Sequence, residues 1–184
     1  MSKIRLQQAK KVLDLSNRGH NILDKKVFIL RKETADLKER YARLKASIQN
    51  VSAESQAALQ TANIAMGLNA VELITKALPQ DDTIQILPGS IMGIEVLLIS
   101  NTPTANPLLP TALQSAAANF TDLKNLLLLL AMVQVSIKKL TAAQRKTEIR
   151  VNALKNIVIP RQKQLVKQLT EKLEEQEREE RSRL

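Results

Sequence analysis

The 184-residue sequence has no cysteine, no tryptophan, one histidine (His20), one tyrosine (Tyr41) and two phenylalanines (Phe28 and Phe120). Without thiols it can build neither a disulfide framework nor a thiolate metal site. A lone histidine excludes a histidine-rich zinc cluster and a histidine pair for acid–base relay. No glycine-rich phosphate loop is present, and no acidic cluster converges with other catalytic groups, so no catalytic, metal or cofactor-binding residue is assigned. Aromatics make up 2% of the residues although 44% are apolar. Most of the large side chains that fill a globular core are therefore missing, and the apolar content has to be spread along a seam.

Long hydrophobic runs are also scarce. Residues Leu126–Val133 form an apolar stretch between Asn125 and Gln134, well short of the roughly 20 residues that cross a bilayer, so no direct membrane insertion is expected. Lys3, Arg5 and Lys10 surround the first leucine and leave no apolar core for a secretion signal, which points to the cytoplasm.

What is present is helix-forming and strongly basic, with a net charge of +10. The charge sits at the two ends. Residues 1–50 hold 13 Lys and Arg against 5 acids, residues 51–135 hold 2 against 6, and residues 136–184 hold 13 against 7. A basic chain can bind phosphates, but acids are mixed into both basic ends and no aromatics are interleaved for base stacking, so nucleic acid is not the expected partner.

Five of the six prolines (Pro79, Pro88, Pro103, Pro107, Pro110) fall between residues 79 and 110. This punctuation divides the chain into a helix over 3–77, an insertion over 78–110 and a second helix over 111–184. The first helix carries a series at alternating spacings of three and four, apolar at eleven of its fourteen positions: Leu6, Ala9, Leu13, Ser16, His20, Leu23, Val27, Leu30, Thr34, Leu37, Tyr41, Leu44, Ile48, Val51. An average of 3.5 residues held over so many turns marks a coiled-coil seam. Beyond Val51 the seam is expected to thin into Ala57, Ala58, Ala62 and Ala65.

The second helix repeats the pattern from Leu123 through Val133, Leu140, Val151 and Leu154 to Val158, then is expected to resume at Leu165, Leu169 and Leu173 after a bend near Pro160. Two helices of matched length with a short connection predict an all-α-dominated fold. Its core is a long antiparallel two-helix coiled coil with a small central β-hairpin insertion and both termini at one end.

In the insertion, Thr83–Leu87 and Ile91–Ile99 flank Pro88-Gly89-Ser90 and read as a β-hairpin carrying Ile84, Ile86, Ile91, Met92, Ile94 and Val96, with Asn101–Pro110 as loop. Thr111 and Gln114 have the spacing of a capping box. His20 lies on the seam and reads as a polar register marker, and the adjacent Gly19 suggests a close backbone approach. Glu174–Arg178, Glu177–Arg181 and Glu179–Arg183 have ion-pair spacing on a solvated face.

Local sequence adds a family. Arg150, Val151, Asn152, Ala153 and Leu154, followed by Ile157, Val158, Ile159 and Pro160, resemble the RVNALE and VVIP segment of the D-subunit family of V-type and A-type ATPases. Arg18, Gly19 and His20 with Ile22, Leu23, Lys25 and Lys26 resemble the family's RGH-x-LLK-x-K stretch. Residues Ile91–Val96 resemble its central hairpin, and Glu177–Glu180 with Arg183 and Leu184 its charged ending. Glu148 and Lys155 depart from the pattern, standing where the family has an arginine and an acid.

The resemblance implies a non-catalytic rotor shaft without cofactor, peripheral to the membrane. Its terminal end would enter a hexamer of alternating A and B subunits that hydrolyse ATP. Its other end, with the F subunit and the stalk subunit above the membrane ring, would turn that ring. The residues alone also leave room for a generic coiled-coil scaffold or a basic nucleic-acid-binding rod. The related gamma-type shaft carries a larger insertion than residues 79–110 can hold.

Overall fold

The computed structural model describes residues 3–77, 84–101 and 109–182. In order they form α1 (Lys3–Met66), α2 (Leu68–Ala77), β1 (Ile84–Ile91), β2 (Ile94–Asn101), α3 (Thr111–Ala153), a π-helical turn (Leu154–Val158) and α4 (Ile159–Ser182). The chain folds as two compact units, one of residues 1–32 with 141–184 and the other of residues 33–140. The expected fold class is the one observed: long paired helices with a two-stranded antiparallel sheet.

All fourteen seam positions expected on α1, from Leu6 to Val51, are buried or half-buried, and so are the seam positions of the second helix from Leu123 to Val158. Side chains spaced at 3.5 residues share one helix face, and that face is the one withdrawn from water. Leu30 in the first unit and Leu140 in the second are fully buried, each worth about 1.5–3 kcal/mol relative to exposure. Three buried hydroxyls satisfy themselves. The hydroxyls of Ser55, Ser136 and Thr147 donate to the carbonyls of Val51, Met132 and Ala143, one turn earlier, at 2.6, 2.8 and 2.8 Å. Burying them therefore leaves no unpaired donor.

In the first unit the helices run antiparallel. Lys3 Nζ lies 3.2 Å from Glu177 Oε1, and Arg31 Nη2 lies 2.6 Å from Glu148 Oε1. Glu177 thus has a partner on α1 in addition to any along its own helix, while Arg183 lies outside the described residues. In the second unit Ala62, Val71 and Leu113 form a core cluster joined by Leu59, Met66 and Ile74, so that α2 packs with the end of α1 and the start of α3.

Several expectations are corrected. The helix expected over 3–77 breaks at Gly67, whose φ of +83° suits a residue without Cβ, and α2 begins anew. Past Val51 the seam passes through Ser55, Ala58 and Ala62, whereas Ala57 and Ala65 are exposed. The bend near Pro160 takes the form of the π-turn. Its wider winding shifts the helix phase, so Val166 takes the seam position expected of Leu165, which is 42% exposed. Gln114 donates to the Leu109 carbonyl at 3.0 Å instead of reaching back to Thr111.

In the hairpin the chain reverses at Met92 and Gly93, with φ of 54° and 76°, and Pro88-Gly89-Ser90 lies inside β1. Two consecutive positive φ values define the hairpin turn whose twist matches the strands. The Ile91–Ile94 pair closes this turn, which places Pro88, paired with Leu97, at a site where the missing N–H would have pointed away from the ladder. Thr83, and most of the loop expected over Asn101–Pro110, fall outside the described residues.

Candidate partner-binding surface

The residues singled out by sequence fall into two groups. Arg18, Gly19, His20 and the segment Arg150–Pro160 all belong to the first unit, whereas Ile84, Ile86, Ile91, Met92, Ile94 and Val96 belong to the second. Within the first group the helical period sorts the side chains. Val151 is buried, His20, Gly19, Ala153, Leu154 and Ile159 are half-buried, and Arg18, Arg150, Asn152 and Pro160 are exposed. Arg18 pairs with Asp14 one turn earlier at 2.8 Å. Gly19 does not admit a neighbouring backbone as expected: a Cβ built there meets nothing within 4 Å. His20 Nδ1 lies 3.5 Å from Asn21 Oδ1, and its Nε2 is buried without a hydrogen-bond partner.

The sequence reading missed a polar cluster beside these motifs. Arg31 donates from both Nε and Nη2 to Glu148 Oε1, at 2.9 and 2.6 Å, and Gln144 Nε2 donates to the same oxygen at 3.1 Å. The Gln144 hydrogen bond first, and then the Arg31 guanidinium, hold the Glu148 carboxyl below its ordinary pKa against a small opposing effect of desolvation. Together with Asp24, Val27, Phe28, Val151 and Asn152, Arg31 and Glu148 line a cleft of about 350 Å³. The signal for this cluster was present as the departure at Glu148, but a pair 117 residues apart has no local pattern.

The outer face of α1 carries a further feature. Leu15, Ile22 and Ile29 are exposed at seven-residue spacing, and Lys11, Arg18, Lys25 and Lys32 lie one turn away along the same face. The result is an apolar stripe edged by positive charge, a surface suited to a protein partner with apolar and acidic groups.

The hairpin leaves half of its large apolar side chains exposed to solvent. Val96 is buried at 2% exposure, whereas Ile84, Ile86, Leu87, Met92 and Leu98 are all exposed. A two-stranded sheet with apolar residues on both faces does not bury them by itself. One further apolar region stands out on the second helical stretch, between Thr111 and Ser182. An 18-residue window there has a mean hydropathy of 1.7, enough by length and composition to cross a membrane. Of that window, 17% is buried within the protein. No group of three or more acidic, histidine or cysteine side chains suited to a metal occurs among the described residues.

Comparison with known proteins agrees with this architecture. The family described as the ATP synthase D subunit matches residues 5–184. The D subunit of the V-type ATP synthase of Thermotoga neapolitana is 31% identical over 181 residues, covering 95% of this chain and 89% of its own. The D subunit of the A-type ATP synthase of Pyrococcus abyssi is 30% identical over 187 residues, covering 97% and 87%. That of Methanosphaera stadtmanae is 29% identical over 174 residues, covering 90% and 81%.

Proposed function

The chain belongs to the ATP synthase D-subunit family, and from that membership we propose that it is the central-stalk rotor subunit of a rotary V-type or A-type ATPase. In this reading it is not itself an enzyme. It couples ATP hydrolysis or synthesis in a hexamer of A and B subunits to ion transport in the membrane sector. The F subunit and the stalk subunit above the membrane ring are its other partners, and it stays peripheral to the membrane.

The observation that carries the reading is the seam. It follows 3.5-residue spacing along α1 and along α3, and it is dry enough to bury Leu30 and Leu140 completely. A rotor transmits torque only if its helices resist sliding and unwinding against each other, and close-packed apolar layers give that resistance. The basic, apolar-studded outer face of α1 supplies a surface for the sleeve, and the exposed hairpin supplies one for a neighbouring subunit.

Reconstitution tests the reading. The purified chain, mixed with the A, B and F subunits of its own complex, is expected to enter the assembly stoichiometrically and to be required for ATP-driven ion transport in vesicles carrying the membrane sector. Full transport without the chain would refute the rotor role.

A further inference from the structure

The paired helices of the first unit leave two grooves, one on each side of the seam. Arg5, Gln8 and Val12 of α1 line the first together with Leu165, Gln168 and Lys172 of α4, around a cavity of about 490 Å³. Each of these residues immediately precedes a seam residue: Leu6, Ala9, Leu13, Val166, Leu169 or Leu173. The cleft of Asp24, Phe28, Arg31, Glu148 and Asn152 belongs to the second groove, and each of those residues immediately follows a seam residue. The residue before a seam position therefore faces one groove and the residue after it faces the other.

Extended along the unit, this rule makes the two grooves unlike. The first receives Val12, Leu15, Ile22 and Ile29 from α1 and Ile157 and Leu165 from the returning helix, all of them exposed. Among the described residues, Phe28 is the one large apolar side chain exposed in the second. Charge divides in the same sense. The first groove holds Arg5, Lys26, Lys146, Arg150, Arg161 and Lys172 and no carboxylate, whereas Asp14, Asp24, Glu148 and Glu174 fall in the second. Lys11, Arg18, Lys25 and Lys32 extend the positive rim of the first along α1. Between Leu15 and Ile22 in the same line stands Gly19, where a Cβ would meet nothing within 4 Å.

We propose that the first groove takes a third helix, contributed by a partner protein, with apolar residues at heptad spacing and carboxylates beside them. Val12 to Ile29 covers about 25 Å of helix, and two helices lined at spacings of three and four accept side chains from a third with the same period. The gap at Gly19 leaves room for one of those side chains to enter. A rim of cations without carboxylates favours an acidic flank and repels a basic one. A polyanion such as nucleic acid would satisfy the rim but leave the apolar line in water. That the partner is a subunit of the ATPase rests on the rotor reading; its helical, acidic form rests on the groove. A shaft with one such groove also distinguishes its own angular positions, because of several like helices ranged around it only one can be engaged at a time.

The sequence has no cysteine, so single thiols report on each groove in the full chain. Ile22→Cys places one in the first groove and Asn17→Cys one in the second, both at exposed positions. The probe is a synthetic helix of about four heptads with leucine at the core positions and glutamate beside them, compared with a scrambled peptide of the same composition. The ordered peptide is expected to slow maleimide modification of the Ile22→Cys chain about tenfold, and that of the Asn17→Cys chain by less than about twofold. Leu15→Ser with Ile22→Ser should leave melting of the chain unchanged and weaken the ordered peptide about tenfold. Equal slowing of both thiols, or equal binding of the scrambled peptide, means that charge alone is at work and overturns the proposal. The same contrast between the two thiols is expected in the assembled ATPase, and a thiol in the Ile22→Cys chain that reacts equally fast when free and when assembled also overturns it. A chain that does not assemble refutes the rotor reading instead, and the peptide then decides for the groove.

Discussion

The helical seam and the hairpin use the same kinds of residue for opposite ends. Along α1 and α3 the apolar side chains recur every 3.5 residues and turn inward, and where polar residues interrupt them the hydroxyls bond to their own helix. Along β1 and β2 isoleucine and leucine occupy both faces, and among the described side chains only Val96 is buried while at least five apolar neighbours meet solvent. The first arrangement stores folding free energy. The second leaves it to be released on contact with something else. Periodicity alone would not separate them; the difference is whether a second element covers the face.

The sharpest way to break this comparison is a charge on the dry seam. Leu30→Asp places a carboxylate where Leu30 has no exposed surface, so it must be buried without a partner or force the helices apart. Loss of about 4 kcal/mol is expected, with failure to assemble. A melting scan together with incorporation into the complex checks it, and native-like values for both would remove the seam from its place as the stabilising element.

The hairpin should respond in the reverse sense. Ile84 and Ile86 lie on one face of β1 and are exposed, so Ile84→Ser with Ile86→Ser costs the isolated chain little. If a neighbouring subunit covers that face, burial of two isoleucines contributes enough that binding in the assembled ATPase should weaken tenfold or more, since each factor of ten is about 1.4 kcal/mol. Titration of the double variant into the remaining subunits measures this. Unchanged affinity would make the hairpin a passive connector.

How much of this could be read beforehand depended on whether the physics was local. The seam was legible because its period repeats: every position from Leu6 to Val51 in the series is withdrawn from water. The hairpin is legible from its β-branched runs, but Pro88 and Gly89 are stronger turn signals than Met92, a residue that seldom takes positive φ, and so point to a turn at Pro88–Ser90 instead of at Met92–Gly93. The π-turn was foreseen only as a bend. Its effect on phase, which exchanges Leu165 for Val166 on the seam, follows from backbone winding that no side-chain pattern displays. The Arg31–Glu148–Gln144 cluster needed the register of two distant segments.

A smaller effect is expected at Gly19, in the interior of α1. A Cβ there meets nothing within 4 Å, so Gly19→Ala should stabilise the chain by about 1 kcal/mol through helix propensity alone, raising the melting temperature by roughly 2–4 °C. If incorporation into the complex falls while melting rises, Gly19 serves a partner's approach instead of the chain's own packing. A fall in melting temperature would show that the helix is strained there.

The smallest effect concerns Glu148, whose contacts with Arg31 and Gln144 lie at the edge of the seam and not within it. The fold holds its carboxyl below the pKa it has in the unfolded chain. Such a group favours the folded state while ionised, so its contribution is fully present above the unfolded value and is lost as the pH falls through the lower, folded one. Both partners reach solvent, and salt screens what the pair contributes. Glu148→Gln should therefore leave melting near neutral pH only slightly lower. It should also flatten the decline on acidification below the ordinary carboxylate range and weaken the response to added salt. Melting of both chains across about pH 3–7, at low and high salt, gives the comparison. Parallel curves would mean that the cluster contributes nothing beyond its geometry, and a large loss at neutral pH would make it part of the stabilising core and not of the surface.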